Sequence, residues 1–335
     1  PSGHDLDDMT LRGTRTEYAA VTRHRPQLLD HVDSSFQPVY LPGGDLLYYY
    51  EDNGTTKGYG FFTISPKGKV TKLAFEPGSS YSSDSYYYYI NMNEAGTMMA
   101  SAKAYNSSTK ASVHLIKLDG TTFTGGKTVC DTQPSTMLYE YPRYYNIIFG
   151  KKYVYFSARK AGASGYDYLL YKAPLDCSAK ATQVAFPNIG TSAVTDIDYY
   201  FTSSDDGSTI AVVVNTGSSS NEEVMVIDDA TGTVTNVSGS PSSYAGSGSY
   251  RYLMYYSDGY LRLSPTGKYV AYSDWSSGDE LYIRDTGATS PAVHITSSTN
   301  FASTVDEVRS VEWITDDDVV FWAGDSYDKL DMYHY

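Results

Sequence analysis

Leu263-Ser264-Pro265-Thr266-Gly267-Lys268-Tyr269-Val270-Ala271-Tyr272-Ser273-Asp274, continued by Glu280-Leu281-Tyr282-Ile283-Arg284-Asp285, reads as a tight polar turn, a strand, a loop and a second strand. Similar phrases recur along the chain. Pro42-Gly43-Gly44-Asp45 precedes Leu46 to Tyr50, and Ser65-Pro66-Lys67-Gly68 separates Tyr59–Ile64 from Val70–Phe75. Asn93-Glu94-Ala95-Gly96 precedes Thr97–Ala104, with Ser112–Leu118 after it, and Gly150-Lys151 precedes Tyr153–Phe156, with Tyr168–Tyr171 after it. Ser204-Asp205-Asp206-Gly207 precedes Thr209–Val214 and then Val224–Asp228. Asp316-Asp317-Asp318 precedes Val319–Trp322 and then Leu330–Tyr333. The turns recur on the order of every 50 residues, a period that signals propeller blades or solenoids, and four short strands per repeat favour blades.

The composition agrees. The chain has 335 residues, 35 of them Tyr and 28 Gly, with abundant Ser and Thr. Tyr and Thr suit pleated, half-buried surfaces, whereas Gly and Ser suit turns. No long helical period is present. The expected class is therefore all-β: a six-bladed β-propeller over residues 16–335 behind an extended polar arm over residues 1–15. The sixth unit stops after its third strand, and Glu17–Thr22 is a strand candidate ahead of the first unit. Pairing residues 16–22 with 328–334 would close the ring and remove an exposed edge.

Leu263–Tyr272 followed by Leu281–Asp285 resembles the repeat of TolB-type six-bladed propellers, which carries a Ser-Pro-Asp-Gly-Lys turn before an apolar strand. Ser204-Asp205-Asp206-Gly207 keeps the Asp and Gly of that turn. Thr266 stands where the family usually has Asp, and the third and sixth units lack the consensus. The resemblance implies a fold and an exported protein of the periplasm, cell surface or extracellular space, and it carries over no catalytic residue. Ser203-x-Asp205-x-Gly207-x-Thr209 also resembles the Asp-box of sialidase-type propellers, although a turn that needs Asp and Gly accounts for it.

The net charge of −14 and a pI near 4.7 argue against nucleic acid and anionic membranes as partners. No apolar run is long enough to span a bilayer. The chain opens on Pro1, not Met, so a processed or trimmed chain is expected. The sequons at Asn53, Asn106 and Asn236 carry meaning only in a glycosylating host.

No catalytic constellation stands out. The six His residues are scattered without metal-ligand spacing. Gly-x-Ser-x-Gly is absent, which leaves a prolyl-peptidase-like hydrolase unsupported, and the length leaves no room for the hydrolase domain that family adds to its propeller. The acidic groups Glu51-Asp52-Asn53, Asp205-Asp206, Asp228-Asp229 and Asp316-Asp317-Asp318 could offer oxygen ligands to Ca²⁺, but none has EF-hand spacing; solvated turns capped by Asp explain them without an ion. No other cofactor is expected. Tyr48–Tyr50 and Tyr86–Tyr89 fall in strands, where alternate residues pack between blades.

Three functions remain. The first is a non-enzymatic binding or scaffold module that contacts a protein or glycan. The second is a propeller glycoside hydrolase or lyase with its site at the channel mouth. The third is a structural subunit of an extracellular assembly, a homo-oligomer included. The long blade-joining loops carry the candidate binding residues: Tyr81; Tyr139 and Tyr141; and Tyr244, Tyr250, Arg251 and Tyr252. Tyr with Ser and Gly is the composition of adaptable binding loops.

Two consequences follow from sequence. Deleting residues 1–22 should lower the melting temperature sharply, and a truncated chain as stable as the parent would contradict the closure. Cys130 and Cys177 are the two cysteines and should form a disulfide, contributing roughly 3–4 kcal/mol through loop closure. Intact mass should rise by about 2 Da on reduction; an unchanged mass means no bond.

Overall fold

The computed structural model describes residues 39–41, 44–52, 58–72, 85–93, 97–105, 110–118, 126–131, 139–140, 147–159, 168–215, 222–238, 261–274, 280–297, 301, 307–326 and 329–335. By internal contacts the chain divides into Pro1–Ser34 and Ser35–Tyr335, and every described residue lies in the second unit. The arm and the closing strand expected at residues 1–22 lie outside the described residues.

All described regular structure is strand. The first sheet is β1 (Val39–Tyr40), β2 (Leu46–Asp52), β3 (Gly58–Ile64) and β4 (Val70–Lys72), in that spatial order. A nine-stranded sheet follows. It holds one meander of β5 (Ser85–Met92), β6 (Met98–Tyr105), β7 (Lys110–Leu118) and β8 (Gly126–Asp131). It holds a second of β10 (Ile147–Phe149), β11 (Tyr153–Arg159), β12 (Tyr168–Pro174) and β13 (Thr182–Gln183). The two are joined by β9 (Tyr139–Glu140), which pairs with β7 on one side and β11 on the other.

The third sheet is β14 (Asp196–Ser203), β15 (Thr209–Asn215), β16 (Glu222–Asp228) and β17 (Val234–Asn236). The fourth is β18 (Leu261–Leu263), β19 (Tyr269–Asp274), β20 (Glu280–Asp285) and β21 (Val293–His294). The last is β22 (Glu307–Thr315), β23 (Asp318–Ser326) and β24 (Lys329–His334), with three strands among the described residues. Neighbouring strands are antiparallel throughout, as short turns between consecutive strands require. No described helix is long and apolar enough to cross a membrane.

Strand periodicity explains how the sheets stack. Successive side chains of a strand point to opposite faces. In β15, Ile210, Val212 and Val214 pack with Ile148, Tyr155 and Leu170 of the preceding meander. Ala211 and Val213, one residue out of phase, pack with Leu261, Leu263, Val270 and Tyr272 of the following sheet. The same split recurs in β11, where Tyr155 serves one interface and Val154, Phe156 and Ala158 the other. In β19, Val270 and Tyr272 face backward while Ala271 faces forward to Val308, Val319 and Phe321.

A strand buried on both faces reads as an unbroken apolar run, as β15 and β16 do. The second meander and the third and fourth sheets are thus each a slab between two others, as stacked propeller blades are. Tyr155, Tyr171 and Tyr272 are among the largest fully buried side chains, so part of the Tyr content fills these interfaces.

Candidate functional site

Most of the sequence-derived site residues, Tyr81, Tyr141, Tyr244, Tyr250, Arg251 and Tyr252, lie outside the described residues. Tyr139 is described, and it sits in a strand where the sequence reads as loop. Its backbone lies opposite Ala111, while Glu140 lies opposite both Lys110 and Arg159. Cys130 is inside β8, opposite Leu115. Cys177 follows β12 and packs on the cluster that contains Leu115.

The short turns at one end of the strands form a linked series. In the turn between β14 and β15, Ser204 Oγ donates to Asp206 Oδ1 (2.8 Å), as does the Ser208 amide (2.9 Å). Gly207 there has φ +67°, the left-handed region that glycine enters without steric cost. The turn between β18 and β19 shares two features with it: Tyr269 N donates to Ser264 Oγ (3.0 Å) as Thr209 N does to Ser204 Oγ (3.1 Å), and Gly267 has φ +73°.

Each turn then engages the next. Lys151 N donates to Gly207 O (2.9 Å), and Lys151 Nζ to Asp206 Oδ2 (2.7 Å). Asp206 N reaches Pro265 O (3.4 Å), and Ser208 Oγ reaches Thr266 O (3.4 Å). Thr266 in turn donates its amide to Asp316 Oδ1 (3.0 Å) and its hydroxyl to Asp316 Oδ2. Burial opposes ionisation of Asp206, but donors from Lys151, Ser208 and Ser204 outweigh it and hold the carboxyl well below its usual range. The Thr266 hydroxyl does the same for Asp316.

Asp229 corrects the reading of Asp228-Asp229 as solvated turn residues. Its side chain is fully buried. Oδ1 accepts from the Tyr155 hydroxyl (2.9 Å) and Oδ2 from Lys152 N (2.6 Å). A Cβ at Gly150 would stand 2.3 Å from Oδ1, so the carboxylate fits only against glycine. Burial raises the Asp229 carboxyl above its ordinary value against the pull of these donors. Burial, with Asp229 beside it, also drives the Tyr155 hydroxyl far up. The pair is a clasp between two sheets.

Elsewhere Tyr272, Tyr282 and His294 stack across β19, β20 and β21 (centroids 5.7 and 4.6 Å apart), with Tyr282 donating to Glu280 Oε2 (2.8 Å). Among the described residues no three His, Cys, Asp or Glu groups converge as a metal site would require.

No protein-family model and no curated protein matches this sequence. Solved structures do. One, from an analysis of two prolyl endopeptidases, aligns at TM-score 0.53 and 11% identity over 89% of this chain and 39% of its own. Prolyl oligopeptidase B from Galerina marginata, bound to a 35-residue substrate, aligns at TM-score 0.53 and 12% identity over 90% of this chain and 42% of its own. An oligogalacturonate lyase in complex with manganese aligns at TM-score 0.51 and 11% identity over 91% of this chain and 77% of its own. The chain therefore spans about two-fifths of the length of the two peptidase structures. At these identities the likeness concerns fold alone, and it supports a β-propeller.

The clasp has a pH signature. Because the Asp229 carboxyl is raised in the folded state, its contribution favours the fold at low pH. That contribution is lost as pH rises from the ordinary carboxylate value of 3.8 through the folded one. Tyr155→Phe removes a donor to the ionised form, so it should cost about 1–3 kcal/mol at pH 7 and less at pH 4. Denaturant unfolding at both pH values checks this; an equal cost at the two would contradict it.

Proposed function

We propose that the chain is an exported, non-enzymatic binding or scaffold propeller that contacts a protein or glycan through its Tyr/Ser/Gly-rich blade-joining loops. The observation that carries this reading is the linked series of short turns. Lys151, Asp206, Ser208, Thr266 and Asp316 direct their polar groups at neighbouring turns. That end of the strands is thereby a fixed base. The strands β4, β8 and β17 end away from those turns, and the segments that follow them in sequence carry the Tyr-rich composition suited to contact.

A six-bladed ring belongs to the same reading. The last sheet has three strands among the described residues, as the sequence requires if residues 16–22 supply a fourth. The Cys130–Cys177 bond belongs to it too, since β8 and the segment after β12 both adjoin the cluster around Leu115. Such a bond suits an oxidising compartment.

Replacing Tyr141, Tyr250 and Tyr252 together with Ala tests the binding face. Binding to co-purifying protein, or to glycans on an array, should fall about tenfold or more while the melting temperature stays nearly unchanged. Binding that survives the triple change, or a collapse of stability with it, overturns the assignment.

A further inference from the structure

A cleft of about 250 Å³ opens between the fourth and fifth sheets, beside the turn that carries Asp316 and Asp317. Its wall is aromatic. Tyr269 and Trp313 stack at 6.2 Å with 12° between their planes, and the Trp313 Nε1 donates to Arg262 O (3.3 Å), which fixes the indole. Val319 is buried at its base, and Val293 is 47% exposed at its rim. Two carboxylates complete it. Asp316 is engaged by Thr266. Asp317 is held only loosely, its side chain 80% exposed and 3.5 Å from Lys268 Nζ.

Lys268 shows what this arrangement attracts. Its ammonium lies 4.7 Å from the centre of the Tyr269 ring while it reaches Asp317. A ring face with a carboxylate beside it is a cation site, and the apolar wall suits the methylene stem that carries such a cation. The net charge of −14 steers basic partners toward the protein as a whole. A neutral sugar would find the Trp313 Nε1 and Asp316 already engaged.

We propose that this cleft binds a basic side chain, arginine or lysine, presented by a partner protein, with Lys268 as the intramolecular competitor that must swing aside. The partner's stem lies along Trp313 and Val293, and its charged head meets Asp317. This site does not depend on the loop-face reading above.

The test is an NMR titration of the ¹⁵N-labelled full chain with Nα-acetyl-arginine amide, and with Nα-acetyl-citrulline amide as the neutral isostere. The Trp313 indole resonance is followed. Arginine should shift it with millimolar affinity and citrulline about fivefold or more weakly, a difference on the scale of exposed cation contacts. Lys268→Ala should tighten arginine binding about threefold by removing the competitor, and Asp317→Asn should weaken it about fivefold at an unchanged melting temperature. The Tyr141/Tyr250/Tyr252 variant should bind arginine as the parent does, which separates this site from the loop face. Four results would each overturn the proposal: an unmoved Trp313 resonance, equal affinities for the two amides, Lys268→Ala failing to tighten binding, or loss of binding in the tyrosine variant.

Discussion

The close approach of one sheet's turn to the next is the constraint on which the structure depends. Apolar stacking alone holds slabs together but does not fix their relative height or rotation, because hydrophobic contact is non-directional. Directional bonds between turns supply the register. A Cβ at Gly207 would stand 3.1 Å from the Gly150 backbone, and one at Gly267 would stand 2.3 Å from Thr209 Oγ1. Each glycine thus answers two demands, a left-handed backbone and a contact with no room for a side chain. The Asp229 clasp does the same work deeper in, where it ties β16 to the start of β11.

This arrangement accounts for a difference between two turns of the chain. Thr266 stands in Ser264–Gly267 where Asp206 stands in Ser204–Gly207. Here its hydroxyl donates to Asp316. An ionised aspartate has no proton to donate and would repel that carboxylate. The threonine at this turn is complementary to an acid 50 residues later. It is legible only once the two sheets are placed side by side.

The same distinction separates what was legible in sequence from what was not. The order of strands within each sheet follows from local chemistry, since Pro, Gly, Asp and Ser mark turns within four residues. Ser264–Gly267 and Ser204–Gly207 are read that way, and β15 and β16 announce themselves as unbroken apolar runs. The strand β9 is two residues long, and its partners are Ala111 and Arg159, on either side in sequence, so no periodicity marks it. Asp229 looks like any acid in a turn, because the hydroxyl and amide that bury it belong to residues 74 and 77 positions away. The Tyr269–Trp313 cleft likewise joins residues from two sheets. Long-range pairing of polar groups is what single-sequence patterns omit, and it is what builds the sites.

The central claim is that contact between turns, beyond turn conformation itself, holds the sheets in register. A matched pair of glycines isolates the two effects. Gly190 has φ +61° with nothing within 4 Å of the place an alanine methyl would take, whereas Gly267 has φ +73° and the next turn against it. Gly190→Ala should cost only the left-handed strain, about 1 kcal/mol, while Gly267→Ala adds the steric conflict and should cost about 3 kcal/mol or more. Denaturant unfolding of the two variants measures the difference. Equal costs would contradict the account.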